Sequence, residues 1–231
     1  MIVTQLSVKN WRNFRLVEVG LRERQFVVGA NASGKSNLLD VFRFLRDIAT
    51  ADGGGLQKAV KDRGGVSKLR SLAARRDPEI SLKVALSESS ETPVAWHYDL
   101  GIKQEPRGNR RVLVTHECVW HGTEKVLDRP DDDDRSDPER LSQTYLEQIN
   151  TNQTFREVAH FFHSTTYLHL VPQLLRFADS LQGRVLERDP FGQGFLSRIA
   201  QTPEKTRRSR LKKIENALKI AVPQLQQLQF V

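Results

Sequence analysis

The sequence predicts an α/β fold, and three features of the residue pattern point to it. A β-branched and aromatic run at residues 25–28 precedes a glycine-rich turn, and residues 36–50 after the turn have helical periodicity. Three alternating runs between residues 79 and 120 are typical of antiparallel hairpins. From residue 138 onward, apolar side chains recur mainly at helical steps. We therefore expect a strand–loop–helix unit, a hairpin block and a helical block, in that order.

The first block is predicted to begin with two strands. Residues 1–9 alternate in a way that suits an edge strand, and the alternation resumes at residues 15–19 after a break. The strand at residues 25–28, the glycine-rich turn and the helix follow. One buried face is expected on that helix, formed by Leu38, Phe42, Leu45 and Ile48 or Ala49.

The hairpin block is expected to contain three strands, at residues 79–86, 94–102 and 111–120. An acidic segment at residues 128–138 separates it from the helical block. Its four consecutive aspartates could suggest a metal site, but like charges at this density usually stay solvated. We therefore predict an exposed acidic loop there.

The helical block is predicted from several shorter patterns. Residues 165–171 have the β-branched and aromatic content of a buried strand, closed by Pro172. Residues 224–231 alternate again and predict a last strand. Helices are expected at residues 138–149, 154–162, 193–200 and 206–221.

Composition restricts the class of protein. The 231 residues are 38% hydrophobic and 28% charged, which is enough apolar content for a buried core in a polar globule. No run approaches the roughly 18 apolar residues of a membrane span, and the N-terminus lacks a secretory signal pattern. A single cysteine, Cys118, excludes an internal disulfide framework and a cysteine-rich zinc site. We expect a cytoplasmic protein without a membrane partner.

The formal net charge is +8, and much of the excess lies late in the chain. Residues 198–219 contain eight basic residues and two glutamates. This distribution suits a nucleic acid or another polyanion as a partner. The alternative is a solvated helix face, with Leu211, Ile214, Leu218 and Ala221 forming a buried stripe opposite the charges.

The glycine-rich turn carries the most specific signal. Residues 29–36, Gly-Ala-Asn-Ala-Ser-Gly-Lys-Ser, fill every fixed position of the G-x-x-x-x-G-K-[ST] phosphate loop. The glycines allow the loop to bend round a phosphate, and the N–H groups at the start of the helix point at that phosphate. Lys35 is expected to reach the β- and γ-phosphates, and the Ser36 hydroxyl to bind Mg²⁺. The loop therefore predicts binding of a nucleoside triphosphate.

The residues around the loop resemble a known family. Residues 9–14 form a turn of the type Lys-Asn-aromatic-Arg-x-Phe, and residues 29–37 read Gly-x-Asn-x-Ser-Gly-Lys-Ser-Asn. Together with Asn-Leu-Leu-Asp at residues 37–40, they resemble the start of the RecF/SMC-like branch of ABC-type ATPases. Residues 55–60 and 63–70 are similar to stand-alone AAA-family ATPases of bacteria, relatives of the overcoming-lysogenisation-defect (OLD) group. The resemblance is strong from residue 1 to about residue 75, and the rest of the chain fits it more loosely.

The resemblance implies a P-loop NTPase fold in the form of an ABC/SMC-like head. Such a head has a mixed sheet around the phosphate loop, an antiparallel side sheet and a helical lobe. On this plan we expect a nucleotide-binding core at residues 1–78, the side sheet at 79–128, the acidic loop at 129–137 and the helical lobe at 138–231.

The resemblance also assigns roles to site residues. Arg12 would touch the phosphates of ATP, although it could equally be an ordinary turn arginine, and Asn31 would lie near the γ-phosphate. Gln173 would sense Mg²⁺ and the attacking water from the end of a strand, with a polar residue at a helix start as its alternative. Ser36 and Gln173 would thus be the Mg²⁺ residues. The predicted nucleotide-binding residues are Arg12, Gly29, Asn31, Ala32, Ser33, Gly34, Lys35, Ser36 and Asn37.

One part of the family pattern is not recognised. Hydrolysis needs an apolar strand ending in Asp-Glu, and residues 112–117 and 126–128 come nearest without matching. The signature motif, the D-loop and the switch histidine are not recognised either. We therefore interpret the chain as the N-terminal half of a head that lacks its C-terminal part, and expect it to bind ATP without hydrolysing it. If it does hydrolyse ATP, Glu117 is the first candidate base.

Two classes of function are compatible with this pattern. The first is the ATP-binding domain of an AAA/ABC-type ATPase that forms a homodimer through the nucleotide and acts in DNA repair, DNA handling or phage defence. The second is a non-hydrolysing, nucleotide-dependent interaction module that a partner protein completes. A GTPase is disfavoured because the Asn-Lys-x-Asp motif that reads guanine is missing. A small-molecule kinase would usually lack the hairpin block.

Overall fold

The structure is a computed structural model, and it describes residues 1–74, 77–106, 110–169, 171, 191 and 194–228. The chain divides into two compact units, Met1–Thr165 and Thr166–Val231. The first unit contains a six-stranded sheet with helices packed on it, and the described part of the second contains two helices. The domain limits expected from the resemblance remain predictions.

The sheet is antiparallel at every pairing of its six strands. The strands are β1 (Ile2–Trp11), β2 (Phe14–Gly20), β3 (Ile80–Ser87), β4 (Trp96–Gln104), β5 (Val112–His121) and β6 (Glu124–Arg129). Their order is β2–β1–β3–β4–β5–β6, so β2 and β6 form the edges. The two strands predicted at the N-terminus and the three predicted in the hairpin block are confirmed.

The position of β1 differs from the expectation of a mixed sheet beside a separate side sheet. Val8 of β1 pairs with Val17 of β2 on one side and with Leu82 of β3 on the other. Because both edges of β1 are filled, it is an inner strand and joins the hairpin block in one sheet. β6 was not expected; a two-residue turn containing Gly122, with φ 57°, returns the chain from β5 to this strand.

Three of the described α-helices lie between β2 and β3, and the other four follow β6. They are α1 (Lys35–Ile48), α2 (Leu56–Lys61), α3 (Val66–Leu69), α4 (Asp132–Ser136), α5 (Arg156–Ser164), α6 (Phe195–Gln201) and α7 (Glu204–Ala221). Two short 3-10 helices occupy Pro138–Ser142 and Gln153–Phe155. Side chains of α1, α2, α3 and α5 share one core with the apolar residues of the sheet, in which Trp11 packs on Phe44 at 5.0 Å between ring centroids.

The helix predicted after the phosphate loop is confirmed as α1, but its buried face is displaced. Leu45, Ile48 and Ala49 are buried as expected, whereas Leu38 and Phe42 are half-buried. Val41 and Phe44 are buried instead. The displacement follows from the position of Trp11, whose ring contacts Phe44 and so turns that side of the helix toward the sheet.

Residues 25–28 do not form the strand predicted before the loop. The segment has no regular structure, and Phe26 and Val28 are 85% and 89% exposed. A strand needs a neighbour to pair its backbone groups, and none of the described strands pairs with this segment. β-propensity alone was therefore not sufficient.

The acidic segment is exposed at most of its positions, as its composition predicted, but it contains the short helix α4 and two buried residues, Arg129 and Asp134. Asp131 caps α4: its carboxylate accepts a hydrogen bond from Asp134 N at 2.8 Å, and Asp134 Oδ2 accepts one from Asp131 N at 3.2 Å. This reciprocal arrangement is a capping box, and it orders the turn. Asp134 is buried because Arg129 binds it, as described below.

The helical block is confirmed only in part. Its first helix is a 3-10 turn, and Ile149 is 62% exposed, although Tyr145 and Leu146 are buried. α5, α6 and α7 correspond to the three later predicted helices. Residues 165–169 and 171, and likewise residues 224–228, are irregular, so the two strands predicted there are wrong in the described part.

The basic helix α7 has no buried residue. The stripe expected to be buried opposite its charges is at least partly solvent-exposed, with Ile214 at 48% and Leu218 at 39% exposure. The solvated face of the alternative agrees with the exposed cations of α7, but the buried stripe predicted opposite them is wrong.

Candidate functional site

The phosphate loop ends at Gly34, and α1 begins at the next residue. Gly34 has φ 102°, in the left-handed region that favours glycine, and its carbonyl accepts the first helical hydrogen bond from Leu38 N at 2.9 Å. Ala32 has φ 62°. At Gly29 the reason for glycine is space, because an added Cβ would lie 2.9 Å from Ser33 Oγ. The bend predicted from the two glycines is thus formed, with left-handed torsions at Ala32 and Gly34.

The Lys35 ammonium group lies against the loop itself. Its Nζ donates hydrogen bonds to the carbonyl oxygens of Gly29 at 2.8 Å and Ala30 at 2.7 Å. The side chain therefore folds back across the loop and joins its two ends. An ammonium group has three donors, so one remains to meet an anion while the two carbonyls are bound.

The loop is open to solvent on the side of the helix start. Residues 29–33 and Ser36 are exposed, while Lys35 and Asn37 are half-buried. The first turn of α1 contains no acidic residue that would neutralise the positive end of its dipole. Free N–H groups, an ammonium group and a hydroxyl therefore converge on one exposed place, which is the arrangement of an anion-binding site.

The turn between β1 and β2 contacts this loop directly. Trp11 Nε1 donates to the carbonyl of Asn37 at 2.9 Å. Asn37 Nδ2 donates to Asn13 Oδ1 at 2.8 Å, and Asn13 Nδ2 donates to the carbonyl of Ser33 at 3.4 Å. The amide of Asn37, a predicted nucleotide-binding residue, is thus directed toward the turn. Asn13 was missed because the turn motif leaves its position open.

Arg12 lies at the same turn, with φ 49°, and is bound to Asp40 of α1. Its Nη2 and Nε donate to Asp40 Oδ2 at 2.7 and 3.2 Å. The arginine is therefore held beside the helix that the phosphate loop opens. Its contact with the phosphates stays a prediction.

Asp40 has a second cation, Arg63, which follows α2. Arg63 Nε donates to Asp40 Oδ2 at 3.1 Å, Nη2 donates to Asp47 Oδ2 at 2.9 Å, and Nη1 donates to the carbonyl of Ala59 at 2.9 Å. Burial would raise the pKa of Asp40, but the charges and hydrogen bonds of Arg63 and Arg12 outweigh it and hold that pKa below its ordinary value. Asp40 therefore stays charged and binds two arginines.

Sequence reasoning did not assign Asp40 or Arg63 to the site. Both residues belong to the stretches that resemble the family, Asn-Leu-Leu-Asp at residues 37–40 and Arg-Gly-Gly at 63–65. The resemblance could therefore have marked them as notable. Their pairing could not be inferred, since 23 residues separate the two side chains and no local pattern joins them.

Glu117, the candidate base if hydrolysis occurs, is fully buried on β5 of the sheet. It accepts hydrogen bonds from the Tyr98 hydroxyl at 3.0 Å and Arg129 Nη1 at 2.9 Å, and from the backbone N–H groups of Tyr145 and Leu146 at 2.7 and 3.1 Å. Burial raises the pKa of Glu117 despite these donors. With four donors around it and no exposure, this carboxylate holds the fold together and is not placed to activate water.

The remaining predicted site residue, Gln173, lies outside the described residues. Ser36 is therefore the one predicted Mg²⁺ residue whose position is known, and it is exposed at the start of α1. Within the described ranges, no group of three or more His, Cys, Asp or Glu residues could hold a metal ion. No helix among those ranges is long and apolar enough to cross a membrane.

A phosphate loop that opens a helix in an α/β protein defines the class of P-loop NTPases. A family model described as "AAA domain, putative AbiEii toxin, Type IV TA system" matches residues 26–229. The chain therefore belongs to this AAA family, and its fold is that of a P-loop ATPase domain, as the sequence predicted. ATPases of this class use ATP with Mg²⁺.

A solved structure from work on ATP-driven dimerization and DNA-stimulated activation of SMC ATPases is similar over 92% of this chain and 98% of its own. The sequence identity is 14% and the TM-score is 0.36. None of the curated proteins matches this chain in sequence.

Proposed function

We propose that the chain binds ATP together with Mg²⁺ through residues 29–37, as the nucleotide-binding part of an AAA/ABC-type ATPase related to the RecF/SMC-like branch and the OLD group. The site at the start of α1 carries the proposal. An exposed loop bends at Gly34, and Lys35 and Ser36 stand beside free helix N–H groups with no acid in the first turn. A chain of phosphates is the ligand whose charge and oxygen atoms fit these donors.

Each residue has a defined part in this proposal. The Lys35 ammonium group exchanges its bonds to the loop carbonyls for bonds to the β- and γ-phosphates. The Ser36 hydroxyl and Gln173 hold Mg²⁺, which neutralises phosphate charge. Asn31 lies near the γ-phosphate. Arg12 contacts the phosphates, and Arg63 keeps Asp40 paired when Arg12 moves toward the nucleotide.

We further propose that the complete protein forms a homodimer through the nucleotide and works on DNA in the cytoplasm, in repair, DNA handling or phage defence. The resemblance and the exposed basic helix α7 support this part. A rotation of about 100° per residue places four cations of α7 on one side of the helix. They are Lys205, Arg208, Lys212 and Lys219, all exposed.

A second candidate function is a nucleotide-dependent interaction module that does not hydrolyse ATP by itself. Glu117 favours it, because this acid lies in the segment nearest to the hydrolysis pattern and is buried among four donors. In this case a partner protein supplies the acidic strand. The two candidates share the same nucleotide site and differ in the origin of the catalytic carboxylate.

The experiment is a titration of MgATP into the chain and into Lys35→Ala, with turnover measured on the same samples. We expect Lys35→Ala to weaken binding by about 10- to 100-fold, since a charged hydrogen bond is worth about 1.5–3 kcal/mol. Lys61→Ala, at the exposed end of α2, is the matched control and should bind like the wild type. Equal affinity of Lys35→Ala and the wild type would refute the proposed site.

The turnover measurement separates the two candidates. Turnover that Lys35→Ala removes supports the hydrolysing ATPase and requires a base other than Glu117. Binding without turnover supports the module that a partner completes. Repeating both measurements with duplex DNA tests the DNA part, because electrostatic binding by α7 should weaken steeply as salt is raised.

A further inference from the structure

Asn13 ties the β1–β2 turn to both ends of the phosphate-binding segment. Its Oδ1 accepts a hydrogen bond from Asn37 Nδ2 at 2.8 Å, and its Nδ2 donates one to the carbonyl of Ser33 at 3.4 Å. Ser33 and Asn37 flank residues 34–36, whose N–H groups and side chains form the anion-binding site. One amide group therefore spans the segment.

Gly34 shows how closely the turn approaches the loop. A Cβ added at Gly34 would lie 2.5 Å from Asn13 Nδ2 and 2.7 Å from Phe14 Cζ. Carbon atoms do not approach other atoms at such distances without displacement. Glycine is therefore required here for its left-handed φ and also because the β1–β2 turn packs directly against the loop backbone.

The residues before Asn13 fix the turn on the same helix. Trp11 is fully buried and donates to the carbonyl of Asn37 at 2.9 Å, and Arg12 is paired with Asp40. Trp11, Arg12 and Asn13 thus contact the first part of α1 in succession. Because the two residues before it are held in place, the exposed Asn13 contacts the loop from a rigid support.

We propose that Asn13 is a positioning residue of the nucleotide site, and this inference rests on the proposed ATP-binding function. Its amide fixes the Ser33 carbonyl and the Asn37 side chain, so that the N–H groups between them point at the phosphates. Donors that are already oriented need no reorganisation on binding. The free chain gains little from the exposed bonds of Asn13, so their loss affects nucleotide affinity more than folding.

The test compares MgATP titrations of the full chain, Asn13→Ala, Asn37→Ala and the double variant. We expect each single variant to bind about 3- to 10-fold more weakly, which corresponds to one hydrogen bond. The double variant should bind no more weakly than the weaker single one, because both remove the same bond. Asn150→Ala, an exposed turn asparagine, should bind like the wild type. The melting temperature of the free chain should not change in any variant.

The outcomes distinguish this inference from the proposed function. If Lys35→Ala loses binding but Asn13→Ala keeps wild-type affinity, the site stands and the positioning role of Asn13 is refuted. A melting temperature that falls together with affinity gives Asn13 a merely structural role and also refutes it. If the wild type binds no nucleotide, the proposed function fails. Hydrogen exchange of residues 29–37 in the free chain then decides: faster exchange in Asn13→Ala supports the positioning of the loop by Asn13, and unchanged exchange refutes it.

Discussion

The phosphate loop and the buried cluster around Arg129 use charge in opposite ways. In the loop, Lys35 stands in an exposed segment and binds two carbonyls that a ligand can replace. In the Arg129 cluster, which consists of Arg129 with Glu117 and Asp134, all three side chains are 0% exposed. The Lys35 charge has exposed partners that can be exchanged, as the proposed nucleotide site requires, whereas the charges that hold the fold have all their hydrogen bonds filled and no contact with solvent.

Saturation of Arg129 is complete. Its five N–H donors bind Asp134 Oδ2 and Oδ1 at 2.8 Å each, Glu117 Oε2 at 2.9 Å, and the carbonyls of Gln143 and Arg140 at 3.1 and 3.2 Å. Burial would lower the pKa of Arg129, but Asp134 and Glu117 outweigh it and raise that pKa. The cluster joins β5 and β6 to α4 and to the chain that follows α4.

Breaking the Arg129 cluster should give the largest effect. Arg129→Ala leaves Glu117 and Asp134 buried without their cation, so we expect a loss of about 3–5 kcal/mol in the free energy of unfolding. Urea unfolding followed by tryptophan fluorescence measures it. Arg135→Ala is the matched control, because Arg135 is 68% exposed and pairs with the 95% exposed Asp132. It should change stability by less than about 0.5 kcal/mol, and a similar loss in both variants would contradict the contrast.

The sequence predicted the loop and not the cluster for a physical reason. Residues 29–36 are a contiguous motif, so the bend, the lysine and the helix start were recognisable together. The Arg129 cluster depends on side chains brought together by the sheet, with Asp134 inside a run that looked solvated. A buried arginine changes the meaning of a neighbouring aspartate, and only the pairing of β5 with β6 reveals that burial.

The same reasoning explains the elements that were wrong. The alternating runs of the hairpin block were predictable because each strand finds its partner one turn away along the chain. Residues 25–28 have a comparable composition, but a strand there depends on distant partners. Asp40 and Arg63 likewise come from separate segments, and a family resemblance can mark them without showing that they touch.

A methyl group at Gly34 should give an intermediate effect and test the loop itself. Gly34→Ala forces alanine to φ 102° and into contact with Asn13 and Phe14. We expect a loss of about 1–3 kcal/mol in stability together with weaker MgATP binding. Gly20→Ala is the control, since a Cβ there meets nothing within 4 Å.

Lys35→Ala, by contrast, should leave the free energy of unfolding within about 0.5 kcal/mol of the wild type, because the hydrogen bonds of Lys35 are exposed.

If Gly34→Ala were as stable as Gly20→Ala, the turn and the loop would not be packed as the structure shows. If Lys35→Ala were strongly destabilised, the lysine would belong with the saturated charges of the Arg129 cluster. The second result would remove the distinction between exchangeable and structural charge that separates the two regions.

His116 lies between the two extremes and should give the smallest effect. It precedes Glu117 in β5 and points to the other face of the sheet, where Nε2 lies 2.9 Å from Asp99 Oδ1 and Nδ1 lies 3.3 Å from Glu79 Oε1. Its side chain is 29% exposed. The hydrogen bond to Asp99 raises the pKa of His116 above its ordinary value, although burial opposes it.

Because the folded pKa is raised, the stability from this histidine is fully present below its ordinary pKa of about 6.5 and is lost as the pH rises through the folded value. We expect the free energy of unfolding to fall by less than about 1 kcal/mol over that interval, since the group is only part-buried. His116→Gln should remove this slope. If wild type and variant have the same profile, the charge of His116 does not contribute to the stabilisation of the Asp99 carboxylate. Lys83, whose Nζ lies 2.8 Å from Asp99 Oδ2, would then be sufficient to balance that charge, and the pair would behave like the ion pairs of the Arg129 cluster.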